Sequence, residues 1–167
     1  LLATVCPSFL KFCILQGTCK VLVGSNFILL HYSQVSNNEY IFTRVDESVC
    51  HYGYGTKKAC VDPYYSVAAD LSIYKAGTVI FIPALVGLLL PDATLHAGYF
   101  IVRDTGSAIR GYGRFDFFTG FTPLDKRFNP LTKAGLAWKG TNLPFFVVSE
   151  EEAAPILKSR NYPLLPE

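Results

Sequence analysis

The sequence has little net charge of either sign, since 15 Lys and Arg stand against 13 Asp and Glu and leave +2 at pH 7. A nucleic-acid-binding domain carries a basic patch or stripe, so we expect no nucleic-acid partner. Apolar residues make up 50% of the 167 residues, whereas disordered chains combine low hydrophobicity with high net charge. The chain is therefore expected to fold around one hydrophobic core, as a single domain over residues 1–167.

Long hydrophobic runs are also missing. The most apolar stretch, VIFIPALVGLLL from Val79 to Leu90, is shorter than the roughly 20 residues of a membrane-spanning helix and is interrupted by Pro83. We expect this run to lie in the core, and we expect no integral membrane segment in this chain. Methionine is absent altogether, which suggests a chain that begins downstream of a removed leader or has been trimmed.

Cysteine is absent after position 60. The five cysteines are Cys6, Cys13, Cys19, Cys50 and Cys60. They form no C-x-x-C pair, and His31, His51 and His96 are scattered, so neither a metal site nor a cofactor is predicted. Five cysteines in the first sixty residues favour a disulfide-bonded N-terminal half that folds in an oxidising compartment. The spacing does not decide which cysteines pair and which one is left over.

Short strands separated by turn residues dominate the rest of the pattern. The strand candidates are CKVLV, NFILLHY, YIFTRV, GTVIFIP, GYFIVRD, GRFDFF and LPFFVVS. Only the C-terminal end is predicted to be helical, where Ser149 and Glu152 make a capping box before AAPILKSR, which includes Pro155. Many short strands with glycine-marked turns are typical of an all-β domain built as a closed or nearly closed barrel.

Two aspartates stand out in RDTGSAIRGYGRFDFFTG, residues 103–120. Alternate residues of a strand face opposite sides, so Phe115 and Phe117 are expected to face the core and Asp116 the opposite side. Asp104 ends the preceding strand, where its carboxylate can either accept hydrogen bonds from the glycine-rich loop or take part in chemistry. The pattern alone leaves both roles open.

The order of three aspartate elements resembles the 3D domain, named for three aspartates and found in MltA-type lytic transglycosylases. AADLSIYKAGT supplies Asp70, and RDTGSAIRG and RFDFFTG supply Asp104 and Asp116 with their glycines. The match covers roughly residues 60–120, onto which the cysteine-containing residues 1–60 would pack. Two positions depart from the family's usual pattern, Ser107 for a glycine and Arg110 for a lysine. The second, inserted substrate domain of larger members has no room here.

The resemblance implies a six-stranded double-psi β-barrel with short peripheral helices. It also implies a bacterial lytic transglycosylase, periplasmic or secreted, that acts on peptidoglycan glycan strands without a cofactor. Such an enzyme cleaves the β-1,4 bond between N-acetylmuramic acid and N-acetylglucosamine and leaves a 1,6-anhydro ring. One carboxyl group serves as acid and then as base, and its pKa should be raised by apolar surroundings or by a second carboxylate.

By the same resemblance, Asp116 is the catalytic acid/base and Asp104 assists it. Asp70, Thr105 and Gly106 are expected to support the loop, with Asp70 mainly holding it in place. The candidate substrate-binding residues are Ser107, Arg110, Tyr112, Arg114 and Phe118. Trp138, the only tryptophan, is expected either to stack on a sugar or to cover the end of the barrel.

Two other functions fit parts of the pattern. An expansin-like double-psi barrel binds polysaccharide without cutting it and also keeps an aspartate in its groove, because fold alone does not fix function. DTGS at residues 104–107 is also the signature of aspartic proteases, which would require a homodimer to bring two such aspartates together.

Overall fold

A computed structural model describes residues 3–120, 128–136 and 143–160. The helices are α1 (Pro7–Gln16), α2 (Pro130–Lys133) and α3 (Glu150–Ser159), with a 3₁₀ turn at Thr56–Lys58. The strands are β1 (Thr18–Val23), β2 (Asn26–Ser36), β3 (Glu39–Arg44), β4 (Ser66–Ala68), β5 (Val79–Leu89), β6 (Leu95–Asp104), β7 (Asp116–Phe117) and β8 (Phe146–Val147). No helix among these residues is long and apolar enough to cross a membrane.

The N-terminal part is an antiparallel meander, β1-β2-β3, covered by α1. Asn37 and Asn38 both have positive φ at the β2–β3 turn, which is the conformation that asparagine tolerates and that tight hairpin turns require. Helix α1 was not predicted: Pro7 at its first turn was the available signal, since proline is favoured there. The expectation that only the C-terminal end is helical was therefore wrong.

Disulfides Cys13–Cys19 and Cys50–Cys60 cross-link this N-terminal part, and Cys6 is exposed and unpaired. The first ties α1 to β1, and the second closes a loop after β3. The prediction of a disulfide-bonded N-terminal half is confirmed, and the pairing that the spacing left open is settled. Two disulfides in one small chain indicate that it folds in an oxidising compartment.

The second sheet has five strands in the order β7-β4-β6-β5-β8, with β4 parallel to β6 and the other pairs antiparallel. Its main core combines Val67, Ile80, Leu85, Phe100 and Val102. Most of the described chain is thus sheet with short helices, as expected. The described strands number five in this sheet rather than six, with β7 and β8 at its edges and no pairing between them. The six-stranded barrel stays a prediction.

The long β5–β6 hairpin is less buried than expected. The run from Val79 to Leu90 contributes Val79, Ile80 and Leu85 to the interior, yet Val86 and Leu89, in the later part of β5, are exposed. Helix α3 packs its buried Ala153 against Val79 and Ile101. Its predicted capping box is present, because the Ser149 hydroxyl accepts the Glu152 amide and lies 3.1 Å from the Glu152 carboxylate.

Candidate active site

Asp104 and Asp116 are held on either side of one alanine. Asp104 is the last residue of β6, Asp116 is the first residue of β7, and the short strand β4 lies between them. Ala68 pairs with Asp104 in the parallel ladder and with Asp116 in the antiparallel ladder. Each ladder is about 4.8 Å wide, so the two aspartate backbones are about 10 Å apart, with only a methyl side chain between them.

The side chains around Asp116 alternate as predicted. Phe115 and Phe117 pack against the main core, and Asp116 is exposed. Although the residue reaches solvent, the protein around its carboxyl group removes enough water to raise its pKa, against a smaller opposing effect of the Phe117 amide. Asp116 is therefore a carboxyl group that a bulky ligand can reach and that holds its proton more tightly than an ordinary aspartate.

Asp104 is more buried and more strongly perturbed. Removal from water, reinforced by the negative charge of Asp116, raises the pKa of Asp104 to about 6, although hydrogen bonds from the backbone amides of Thr105 and Thr56 act in the opposite direction. Because these two carboxyl groups interact, they titrate as a pair. At neutral pH the site therefore combines two carboxyl groups whose pKa values are both raised.

The loop between the two aspartates is fixed at several points. It starts with a tight turn in which the Ile109 amide donates to the Gly106 carbonyl at 3.0 Å. Further along, the Gly111 amide donates to Asp70 Oδ2 at 2.9 Å, and the Gly113 amide donates to the Tyr74 hydroxyl at 3.0 Å. Gly111 and Gly113 both have positive φ, so a side chain at either would be strained.

Asp70 is a buried, ionised carboxylate that faces the loop rather than the two other aspartates. Its Oδ1 accepts from the Ser72 amide and hydroxyl at 3.1 and 2.7 Å, while Oδ2 takes the Gly111 amide. These hydrogen bonds, the Gly111 amide first among them, lower the pKa of Asp70 to about 2, and Arg110 adds a smaller effect. Nη1 of Arg110 is 3.5 Å from Oδ1, but its side chain is 64% exposed, so the ion pair is weak.

An aromatic cluster lines the loop. Tyr112 is 75% exposed, and its ring centroid lies 5.2 Å from that of Phe145 and 6.1 Å from that of Tyr74. Beneath it, Phe115 packs against both Tyr74 and Phe145, each with centroids 5.1 Å apart. Tyr112 thus presents a ring to solvent on a support of buried or half-buried rings.

The other predicted substrate-binding residues are spread around this loop. Ser107 and Arg114 are exposed, as are the neighbouring Arg110 and Tyr112, and Thr105 is half-buried beside Asp104. Phe118 is half-buried after β7, and its ring lies 6.3 Å from the Tyr52 ring of the N-terminal part. The structure therefore brings Asp104 and Asp116 together, and it separates Asp70 from them as an anchor of the intervening loop.

The histidines contribute no metal site in the described part of the chain. His96 lies in strand β6 and is buried. Its Nε2 is 2.8 Å from the Tyr64 carbonyl, and its Nδ1 accepts the Gly98 amide at 2.8 Å. Burial lowers the pKa of His96, so it is a neutral structural residue. Trp138 lies outside the described residues.

Four contributors to the site were missed from the sequence. Ala68 separates the aspartates, Tyr74 accepts the Gly113 amide, and Gly55 and Thr56 of the N-terminal part contact Asp104. Ala68 lies in SVA, which is too short to show an alternating pattern. Thr56 acts through its backbone amide, a group that every residue but proline carries, so its side chain gave no signal.

Residues 65–127 match the 3D domain family. Over this stretch the chain is similar to a 3D domain. The resemblance expected over roughly residues 60–120 is thereby confirmed, and all three aspartates lie within the matched stretch. No curated protein matches the chain.

Among solved structures, the chain is similar to a membrane-bound lytic murein transglycosylase from Agrobacterium tumefaciens. The TM-score is 0.50 at 18% identity, and the match covers 69% of this chain and 44% of that one. It is also similar to Escherichia coli MltA with bound chitohexaose, at a TM-score of 0.45 and 17% identity over 65% of this chain and 45% of that one. The chain thus spans less than half the length of these relatives. The likeness to the Agrobacterium protein shows a shared fold, in keeping with the 3D domain.

Proposed function

We propose that this 3D-domain protein is a lytic transglycosylase of peptidoglycan, with Asp116 as its acid/base. The observation that carries the proposal is the pairing of Asp104 and Asp116 across Ala68, within the stretch that matches the 3D domain. Support comes from the exposure of Asp116 and from the raised pKa of both carboxyl groups. The relatives named as lytic transglycosylases agree with this reading.

The proposed reaction needs one carboxyl group in contact with the glycan. The protonated Asp116 gives its proton to the oxygen that links N-acetylmuramic acid C1 to N-acetylglucosamine C4, and the C1–O bond breaks. The resulting carboxylate then takes the proton of the sugar's 6-hydroxyl as its oxygen bonds to C1. The acid is regenerated, no water is consumed, and the product is a 1,6-anhydro sugar. A general acid works better near neutral pH when its pKa is raised, and the protein around the Asp116 carboxyl group shifts its pKa in that direction.

Asp104 assists from the neighbouring ladder. Its own carboxyl group is more buried than that of Asp116, so it is poorly placed to touch a bulky glycan but well placed to influence its partner. The two carboxyl groups interact, because the negative charge of Asp116 is one of the causes that raise the pKa of Asp104. We assign it the role of a positioning and charge-tuning residue.

The glycine loop would form the substrate-binding wall. Tyr112 offers an exposed ring on which a sugar can stack, and Arg110, Arg114 and Ser107 offer exposed donors for hydroxyl or carboxylate groups. Asp70, Thr105 and Gly106 hold the loop in shape. Phe118 closes the apolar side of the site near Tyr52.

The remaining parts of the proposal concern architecture and location. We infer that the sheet belongs to a six-stranded double-psi β-barrel in a single domain that includes the N-terminal part. We also infer a periplasmic or secreted protein of the bacterial cell envelope, with peptidoglycan strands as its partner. The two disulfides support an oxidising location.

The test is to incubate the wild type and Asp116→Asn with purified sacculi and to analyse the soluble products by mass spectrometry. We expect products that are lighter by one water than hydrolysis products, and we expect Asp116→Asn to release them about 10² to 10⁴ times more slowly, as for loss of a general acid. Asp92→Asn is the matched control, because Asp92 is an exposed aspartate whose side chain binds only its neighbour Thr94 in the described residues.

Other results would point to other functions. Products with reducing ends would identify a hydrolase. No products, with binding of sacculi intact, would favour the expansin-like binder. The protease reading would need two copies of Asp104 to meet, and it is tested by cleavage of a denatured protein substrate and inhibition by pepstatin.

A further inference from the structure

The Cys50–Cys60 disulfide closes a compact loop between the two sheets. Within it, Tyr54 and Cys60 form an isolated antiparallel bridge, and the Gly55 amide donates to the Ala59 carbonyl at 2.8 Å. Lys57 and Lys58 both have positive φ, a conformation that persists in such residues only when surrounding contacts enforce it. The 50–60 loop is therefore held in one defined shape.

The tip of this loop lies against Asp104. A Cβ added at Gly55 would collide with the Arg103 carbonyl oxygen and would lie 3.1 Å from Asp104 Cβ, so only glycine allows the two backbones to approach this closely. The next residue, Thr56, has its backbone amide beside the Asp104 carboxyl group, where it acts to lower the pKa of that group. A residue of the N-terminal part therefore completes the surroundings of an aspartate in the 3D domain.

The loop is also fastened to the meander behind it. Thr18, the first residue of β1, donates its hydroxyl to the Tyr54 carbonyl at 3.1 Å, and its methyl group packs against Gly53. Two tethers thus fix the position of the Thr56 amide, namely the disulfide at the base of the loop and the contact with β1.

We propose that the 50–60 loop is a positioning element of the active site, which holds Asp104 through the close approach of Gly55 and through the Thr56 amide, and which depends on the Cys50–Cys60 disulfide to do so. The proposal rests on the proposed function only in the consequence for catalysis. The contact itself can be tested without any activity. The N-terminal part would then help to position a residue of the active site.

The most direct test removes the backbone N–H donor of Thr56. Thr56→Pro deletes the amide donor, and proline fits this position because Thr56 is the first residue of a 3₁₀ turn. Thr56→Ala alters the same side chain but keeps the amide. We expect carbon-detected NMR titration to show the pKa of Asp104 about one unit higher in Thr56→Pro than in Thr56→Ala, because a hydrogen bond to the ionised form is lost. Equal values in the two variants would overturn the proposal.

The dependence on the disulfide has its own matched control. Cys50→Ala/Cys60→Ala opens the 50–60 loop, whereas Cys13→Ala/Cys19→Ala removes the other disulfide of the same part of the chain, which lies outside that loop. We expect the first pair to raise the pKa of Asp104 and the second to leave it unchanged. Equal shifts from both pairs would mean a general loosening of the N-terminal part and would contradict the positioning role.

Activity on sacculi then links the loop to catalysis. We expect Thr56→Pro and the opened loop to lower kcat about tenfold with little change in KM, and to move the pH profile upward by the shift measured for Asp104. A raised KM with unchanged kcat would contradict positioning and indicate a contact with the glycan. If the wild type released no product, the proposed function would fail, while the titrations would still decide whether the loop holds Asp104.

Discussion

The Gly111 amide donates a hydrogen bond to Asp70 Oδ2 at 2.9 Å and so joins two residues that are 41 positions apart. This contact fixes the middle of the 105–115 loop from outside the strands that carry Asp104 and Asp116. The shape of the loop and the placement of the acids therefore depend on different residues, and the two can be perturbed separately.

We expect Asp70→Asn to destabilise the protein above pH 4 and to matter less as the pH falls to 2. An amide offers a single acceptor oxygen, and its NH₂ group would face the Gly111 amide. Because the pKa of Asp70 is lowered from 3.8 to about 2, its stabilising effect is complete above the unfolded value and disappears as pH falls through the folded one.

Thermal unfolding of the wild type and Asp70→Asn between pH 2 and pH 6 checks this. Asp92→Asn is the control, since the Asp92 carboxylate accepts the Thr94 amide and hydroxyl as Asp70 accepts those of Ser72, but within a single turn. An equal loss of thermal stability in both variants would show that the local turn, and not the contact with Gly111, stabilises the fold.

The effect of Asp104→Asn on the stability of the protein should have the opposite pH dependence to that of Asp70→Asn. The pKa of Asp104 is raised from 3.8 to about 6, so ionising it in the folded state costs free energy, and the wild type loses stability as the pH rises from about 4 to 6. The neutral asparagine avoids this loss, which a shift of two units puts at about 2 to 3 kcal/mol.

Urea unfolding at pH 4 and at pH 8 measures the effect. We expect the free energy of unfolding of Asp104→Asn, relative to the wild type, to be more favourable at pH 8 than at pH 4. A difference that stays the same at both pH values would mean that Asp104 has an ordinary pKa in the folded protein.

Tyr112→Ala is expected to weaken binding of the glycan without harming the fold. The ring is 75% exposed, so its removal should change the free energy of unfolding by no more than about 0.5 kcal/mol. If a sugar stacks on it, KM for sacculi fragments should rise about tenfold while kcat is preserved, since a stacking contact exists before and during bond cleavage.

Steady-state kinetics of Tyr112→Ala and Tyr40→Ala provide the comparison. Tyr40 is an exposed tyrosine of strand β3 in the other sheet. Unchanged kinetics in Tyr112→Ala would remove this ring from the binding surface, and a similar defect in both variants would indicate a nonspecific effect.

Gly55→Ala should destabilise the protein by about 1 to 3 kcal/mol, the usual cost of overpacking. The added methyl group would collide with the Arg103 carbonyl oxygen, and neither backbone can yield easily. Gly24→Ala is a comparison in which backbone strain acts without a collision, because Gly24 has φ of +63° and open space around it, whereas φ of Gly55 is −95°. Chemical denaturation measures the loss of stability in both variants, and a Gly55→Ala variant as stable as the wild type would contradict a tight contact at Gly55.

The parts of the fold that followed from the sequence are those with a strong local pattern. Strands β2 and β3 were marked by the candidates NFILLHY and YIFTRV, and the α3 cap by Ser149 and Glu152. Strand β4 was not predicted, because Ser66–Ala68 is held in place by β6 and β7 on its two sides and is too short to show an alternating pattern. Helix α1 escaped as well, since its residues show no clear apolar stripe.

The site divides in the same way. The motif around Asp104 and Asp116 singled them out as candidates, and the direction of the Asp116 side chain followed from strand alternation. The contact of Asp104 with Gly55 and Thr56 could not be predicted, because it joins the backbones of two parts of the chain that are almost fifty residues apart. The disulfide partners were equally undetermined by spacing.

Strand β4 sets the distance between Asp104 and Asp116. Because Asp104 and Asp116 are both paired with Ala68, their separation is set by two hydrogen-bond ladders and not by the length of the chain that connects them. Residues can therefore be added to or removed from the connecting loop without moving one acid relative to the other. In a fold of this kind the connecting loop can vary while the spacing of the two carboxyl groups is kept.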